Sequence, residues 1–261
     1  MAKFFAFVGA YLKVNLAAAL EYRASAVSQV LGMFINDGLW VMFWMLYFTK
    51  FPVIRGWTLE DVVVMWAVVT VSVGLAMGLT FNARRIPELV AQGQLDYYLT
   101  LPKDVLLHLL VSRISIFNLG DMLFGPVVLV LLVKLTWARV AVFLVASVLA
   151  AIIMMAFSVL TGSLTFYMGN SETLSAQLFN TVLHFSTYPA PIFDTGVKVV
   201  LFTLIPAGFI STVPVELVRE FHWMQFLELL GAAALFSGLA VVVFRHGLKR
   251  YESGNLMMMR S

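Results

Sequence analysis

The sequence predicts an all-α integral membrane protein with six transmembrane helices, on three observations. Hydrophobic residues make up 61% of the chain and charged residues 12%, about half the charged share of an average soluble domain. Apolar runs of about 20 residues, the length a helix needs to cross hydrocarbon, recur from end to end. One stretch alone, residues 84–104, is charged, broken by proline and glycine, and too long for a simple turn. A single transmembrane domain over residues 1–261 is expected. With no cysteine in the chain, disulfides, thiolate chemistry and cysteine metal sites are excluded.

Residues 1–24 come first. Lys3, Ala6, Ala10, Lys13, Ala17 and Glu21 recur at spacings of three or four, which puts small and charged residues on one helical face. An amphipathic helix lying at the membrane interface is expected. A cleaved signal peptide is rejected, because Lys13 and Asn15 interrupt the apolar core and Glu21 and Arg23 come after it. Span one then covers residues 27–48. Span two covers 62–81 and contains Gly74-Leu75-Ala76-Met77-Gly78; glycines at 74 and 78 let another helix approach closely.

The stretch from Arg84 to Asp104 reads as a docking surface between spans two and three; the plainer reading is a solvated loop. Pro87 suits the first turn of a short helix over 87–92, and Gly93 can end it in a left-handed conformation. Pro102 is expected to open the helix that runs into span three, residues 110–133. Span four covers 140–168, with Gly162-Ser163 as a bend, and Ser171 or Thr173 is placed to cap the next helix.

From 174 to 218 the pattern loses regularity. A segment reaches Tyr188, and then Pro189, Pro191, Pro206 and Pro214 divide apolar pieces too short to cross alone. A fifth span and then a broken, re-entrant hairpin over 189–218 are expected, with span six at 221–244. One side holds Lys3, Lys13, Arg23, Arg84, Arg85, Lys103, Arg113, Arg245, Lys249, Arg250 and Arg260; the other holds only Lys50, Arg55, Lys134, Arg139, Lys198 and Arg219. The positive-inside rule places both termini and the docking stretch in the cytoplasm and the hairpin outside.

Candidate chemistry sits in mid-span. Asn36 and Asp37 in span one, and Asn118 and Asp121 three apart in span three, are costly in lipid and must face protein or water. They form either a polar route for substrate or protons, or hydrogen bonds that hold the bundle together. His108, His184, His222 and His246 show no metal-ligand spacing. No nucleophile elbow and no phosphate loop ending in Gly-Lys-Ser/Thr occurs, so catalysis on this chain, a bound metal and nucleotide binding are not expected. The aromatic residues sit in spans and at their ends, which argues against a nucleic-acid surface.

Two segments carry a family resemblance. One is Gly93-Gln94-Leu95-Asp96-Tyr97-Tyr98-Leu99 and then Pro102. The other is Tyr188-Pro189 with Ile192-Phe193, then Leu204-Ile205-Pro206-Ala207-Gly208-Phe209 and Val213-Pro214. With the order of spans, they resemble the ABC-2 type permeases, membrane subunits of ATP-binding cassette exporters, and within them a branch long labelled a domain of unknown function and associated with drug-resistance-type export. That resemblance implies a second permease chain, the same or related, and ATPase chains that bind ATP and magnesium. It implies a multi-pass protein of the cytoplasmic (inner) membrane, in contact with the lipid bilayer. The helix from Pro87 becomes a coupling helix, with Arg84, Arg85, Glu88, Gly93, Leu95, Asp96, Pro102 and Lys103 around it. Tyr188, Pro189, Pro191, Pro206 and Pro214 become an extracellular gate. The chain departs from the branch at Leu101, where relatives often carry arginine, with Lys103 two residues later.

Two rivals remain. An importer-type cassette permease would use Glu88, Gly93 and Leu99-Thr100-Leu101-Pro102, but the glycine-to-proline spacing is short for it. A proton-coupled secondary transporter would use Asp37 and Asp121; such folds carry internal repeats, and no convincing one is found here.

Overall fold

The computed structural model describes residues 2–134 and 136–252. Helix dominates, and an isolated bridge between Ile54 and Trp57 closes a turn in the first loop. Arg260 and the side chain of Lys3, both weighed in the charge balance, lie outside the described residues.

Helix α1 (Ala2–Glu21) meets α2 (Arg23–Lys50) at Tyr22. On α1, Ala10, Lys13, Ala17 and Glu21 are exposed while Phe7, Tyr11 and Asn15, one turn apart, face protein. Helix α3 (Leu59–Val73) starts where Asp61 Oδ2 accepts from both the backbone N–H and the hydroxyl of Thr58, each at 2.8 Å. It ends in a π-helical turn at Gly74–Gly78. A Cβ at Gly74 would fall on the Met122 backbone and one at Gly78 on the Leu119 side chain, so hydrogen at both positions is what lets the neighbouring helix close in.

A 3-10 turn (Phe81–Ala83) leads into α4 (Ile86–Ala91) and α5 (Leu95–Leu99), then α6 (Val105–Val111) and α7 (Ile116–Leu132). Helices α8 (Trp137–Gly162) and α9 (Thr165–Met168) come next, then α10 (Glu172–Ser186). The final third holds α11 (Thr195–Thr203), α12 (Ala207–Ile210), α13 (Thr212–Arg219) and α14 (Trp223–Leu248). Among the described residues, four helical stretches are long and apolar enough to cross a membrane: Arg23–Lys50, Leu59–Gly78, Trp137–Met168 and Trp223–Leu248. Two bent pairs, α6 with α7 at 74° and α11 with α12–α13 at 75°, raise the number to six if each counts as one span. The chain is an all-α integral membrane protein.

Helix α3 forms the axis. It packs against α7, α8 and α13, and 94% of its apolar window is buried inside the chain, against 17% for α2 and 28% for α14. The two ends of the bundle are tied differently. At the far end Arg219 grips Asp61 at 2.6 Å, Arg139 reaches Glu60 at 3.5 Å, and Arg55 Nη1 donates to the Pro191 carbonyl at 3.0 Å. At the docking end Arg245 meets Asp104 at 2.9 Å and the Tyr11 hydroxyl lies 2.6 Å from His108 Nε2. Since Pro191 and Arg219 are both held at the far end, the segment between them enters and leaves on one side. It bends by 75° at Pro206, as a broken span or a re-entrant loop does, with Pro189, Pro206 and Pro214 buried.

The docking segment differs from expectation in three respects. Its first helix begins at Ile86, with Pro87 in its first turn, and a second short helix, α5, comes after Gly93, whose φ of 69° supplies the expected left-handed turn. Pro102 opens nothing; Asp104 caps α6, its Oδ1 accepting from Leu107 N–H at 3.0 Å. Span three is also not continuous. The chain breaks between 112 and 115, where Phe81 N–H donates to Arg113 O at 3.3 Å and Ser115 N–H to Gly78 O at 2.8 Å, so the broken helix is satisfied by the end of α3. Ser171 stands at the start of α10 without a side-chain capping bond. The segment expected as span five is α10, 15 residues long and braced by α8 and α12.

Candidate functional site

A cleft of about 340 Å³ rises between α2, α3, α7 and α10, and the four polar residues singled out in mid-span, Asn36, Asp37, Asn118 and Asp121, all line it. Helix periodicity explains the pair on α7: three residues apart, Asn118 and Asp121 share a face. Asp37 is 4% exposed and Asp121 3%. The two carboxyl groups lie against each other. Asn36 Nδ2 donates to Asp37 Oδ1 at 3.3 Å, whereas Asp37 Oδ2 and Asp121 Oδ1 have no donor. Asn118 Nδ2 donates to Ser115 Oγ at 3.1 Å. Buried acceptors without donors are costly in an apolar bundle, a cost that a proton between the two carboxyl groups or a donor on a ligand would meet.

Registers order the cleft from bottom to top. Gly78 sits on Leu119 and Gly74 on Met122, which places Asp121 about level with the π turn. Arg84, beyond the end of α3, and Phe179 on α10 mark the docking end. Trp40 and Trp66 stack toward the other end, centroids 5.8 Å apart and planes at 20°. His184 and Thr187 complete the α10 wall. Trp40, Trp66, Thr70, Phe179 and His184 were missed in the sequence. The signal available for α10 was a helix with Gln177, Asn180 and His184 among apolar residues, too polar for a lone span.

The docking platform carries the sequence-predicted coupling residues in several roles. Arg85 pairs with Glu88 through Nε and Nη2, both at 2.8 Å, and holds the Glu88 carboxyl below the usual carboxylate range. Its charge is therefore spent within the platform. Arg84 points the other way, its guanidinium 4.1 Å from the Phe179 ring centre. Leu95 is fully buried and Pro87 is buried, so both anchor the platform from beneath. Asp96 lies beside Tyr251; burial, and then the Asp96 carboxylate, pushes that phenol up to about 12. Pro102 and Lys103 are exposed, with Lys103 Nζ 5.2 Å from the Phe7 ring of α1. Tyr97 (58% exposed) and Leu99 (45%) give the platform an apolar outer face that the sequence motif did not single out as such.

At the far end Tyr188 packs edge-on to Trp44 of α2, centroids 6.1 Å apart, beside the Arg55 bond to Pro191. Tyr188 and Pro191 thus sit at the end of the bundle opposite the platform, while Pro206 lies at the bend between α11 and α12 and Pro214 lies within α13.

No curated protein and no solved structure matches this chain. A family model described as ABC-2 family transporter protein matches residues 34–254, which takes in both wings of the cleft, the docking platform and the hairpin. Proteins of this kind are membrane components of transport systems that generally work with an ATPase subunit. The chain belongs to the ABC-2 family of transporter proteins.

Proposed function

We propose that this protein is the membrane-spanning subunit of an ATP-binding cassette exporter, with ATP and magnesium bound on a separate ATPase chain. The observation that carries the reading is the join between platform and cleft: Arg84 belongs to the platform and lines the cleft. ATP binding would move α4, and the bundle would pass between two packings that bias the cleft toward either face. Asn36, Asp37, Asn118 and Asp121 are the substrate path, and the hairpin from Tyr188 to Pro214 is the outer gate. Both termini and the platform lie on the cytoplasmic side of the inner membrane.

A second permease chain is supported by Asn36 and Trp40, which are exposed on the flank of the cleft at mid-span. An amide facing hydrocarbon is costly, and another permease laid along α2 would cover it and complete the cleft wall.

Capture of the tagged protein from its native membrane in mild detergent tests the reading. An ATPase subunit is expected with the native chain and is expected to fall by about tenfold with Leu99→Glu/Lys103→Glu, which changes exposed platform residues by a step of about 1.4 kcal/mol or more. A native chain that captures no ATPase overturns the exporter assignment. The contact between Asp37 and Asp121 would then favour proton coupling, with transport driven by a pH gradient in the absence of nucleotide.

A further inference from the structure

Two cavities meet at one pair of side chains. Besides the cleft, a hollow of about 250 Å³ opens next to α4, walled by Arg85, Glu88, Ser158, Thr161, Glu172 and Ser175. Arg84 and Phe179 line both spaces. Phe179 is 3% exposed and fixed on α10, while Arg84 keeps an exposed face. The hollow is polar and carries charged groups of both signs; the cleft beyond the pair carries the unpartnered carboxyl oxygens of Asp37 and Asp121.

The way Arg84 is held matters. Among the described residues no carboxylate pairs with it: at this end Glu88 is taken by Arg85 and Asp104 by Arg245. What holds the guanidinium is the face of an aromatic ring at 4.1 Å, a contact that separates at lower cost than a buried ion pair. Its backbone is tied into the platform, since Arg84 N–H donates to Phe81 O at 3.2 Å and Arg85 O accepts from Leu89 N–H of α4 at 2.8 Å. Arg84 thus adjoins α4 through Arg85, whereas Phe179 belongs to α10, a separate helix that packs against α4.

We propose that Arg84 and Phe179 form the gate between the docking-side hollow and the cleft, opened when α4 draws the guanidinium off the ring. The inference rests on reading the cleft as the transport path, and it gives Arg84 a task inside the bundle in place of contact with the ATPase. Closed, the pair separates the Asp37–Asp121 level from the docking side. Open, it joins the two cavities into one passage.

The chain has no cysteine of its own, so a single introduced thiol reports access without further changes. Leu183→Cys puts that thiol in the cleft, and Lys249→Cys puts one at the exposed end of α14, outside the platform, as a control. Both are labelled in membrane vesicles, in the native complex without nucleotide, by a membrane-impermeant thiol reagent added to each face in turn. Leu183→Cys is expected to label slowly from the docking side, and about tenfold faster when combined with Phe179→Ala or Arg84→Gln, the size of change that loss of a cation–π contact of ordinary strength produces. Phe179→Trp keeps a ring face and should keep labelling slow. The control should label at one rate throughout.

Unchanged labelling in both Phe179→Ala and Arg84→Gln overturns the gate. So does an equal rise from both faces, which marks a loosened bundle. Arg84→Gln removes charge without opening a hole in the core and serves if Phe179→Ala does not accumulate. Labelling needs no ATPase, so a complex that captures its ATPase but shows ungated labelling loses the gate alone. A chain that captures none, yet is gated, loses the exporter reading alone.

Discussion

The two ends of the bundle are closed by different physics. At the far end three arginines cross between elements: Arg219 to Asp61, Arg139 to Glu60 and Arg55 to the Pro191 carbonyl. The Asp61 side chain is 11% exposed and also receives the Thr58 hydroxyl and N–H, so this clasp has a well-solvated charge on one side only. At the docking end, the cleft is bounded by a ring face and a guanidinium, and the nearby ion pairs hold the platform to itself and to α14. Ion pairs with a buried member resist opening; ring contacts release readily. The resting chain is thus bolted at the hairpin and latched at the platform.

The strongest way to break the comparison is to disturb what both ends share. Gly74→Leu would drive a side chain into the Met122 backbone and separate α3 from α7. A loss of about 3 kcal/mol or more is expected from overpacking at a backbone contact, measured as loss of the monodisperse protein and a lower Tm in detergent.

The next test breaks the far end only. Asp61→Ala removes the acceptor of Arg219 and of the Thr58 cap together, and about 2 kcal/mol is expected, less than for a fully buried pair because Arg219 is 42% exposed. Arg219→Ala should cost less than Asp61→Ala, and a double-mutant cycle should return about 1 kcal/mol of coupling. Equal losses, with no coupling, would show that the clasp contributes nothing as a pair.

Salt sharpens the difference. Raising ionic strength to about 1 M shortens the screening length to about 3 Å. The exposed Arg139–Glu60 pair, at 3.5 Å, should weaken before the ring contact at Arg84 does. Thiols introduced at the far end should then gain access while Leu183→Cys stays slow from the docking side.

The smallest effect concerns the chain after α14. The Tyr251 phenol, raised to about 12 in the folded chain, ordinarily ionises near 10. Below 10 it is neutral in both states and contributes no pH dependence. Between 10 and 12 the unfolded chain releases the proton first, so the contact of this segment with Asp96 and the platform loses stability as pH rises. Phenolate absorbance should show a late-titrating fraction that falls by one tyrosine in Tyr251→Phe.

Much of this was legible because the membrane simplifies the code. Long, predominantly apolar runs marked α2, α3, α8 and α14, and Gly93 marked a left-handed turn that only its backbone freedom makes cheap. The four polar residues of the cleft were legible as costly groups, since lipid offers them no partner. Their meeting was not, because it depends on how α2 and α7 pack. The break before α7 escaped for the same reason: Ser115 bonds to Gly78, far away in sequence. Nor does any local pattern say which way Arg84 faces. The 3-10 turn at Phe81–Ala83 sets its direction, and its chemistry alone pointed as readily at a partner as at the cleft.

The enclosure of α3 has a consequence for how the protein is made. Its neighbours α7, α8 and α13 leave the ribosome after it does, and the partner of Asp61 is synthesised 158 residues later. Until α7 follows, α3 has only lipid, α1 and α2 for company, so it must partition into the bilayer on its own mean hydropathy of 1.9. A helix that touches almost no lipid in the finished molecule is therefore written as though it touched nothing else, and its valine-rich sequence records the order of assembly as much as the final packing.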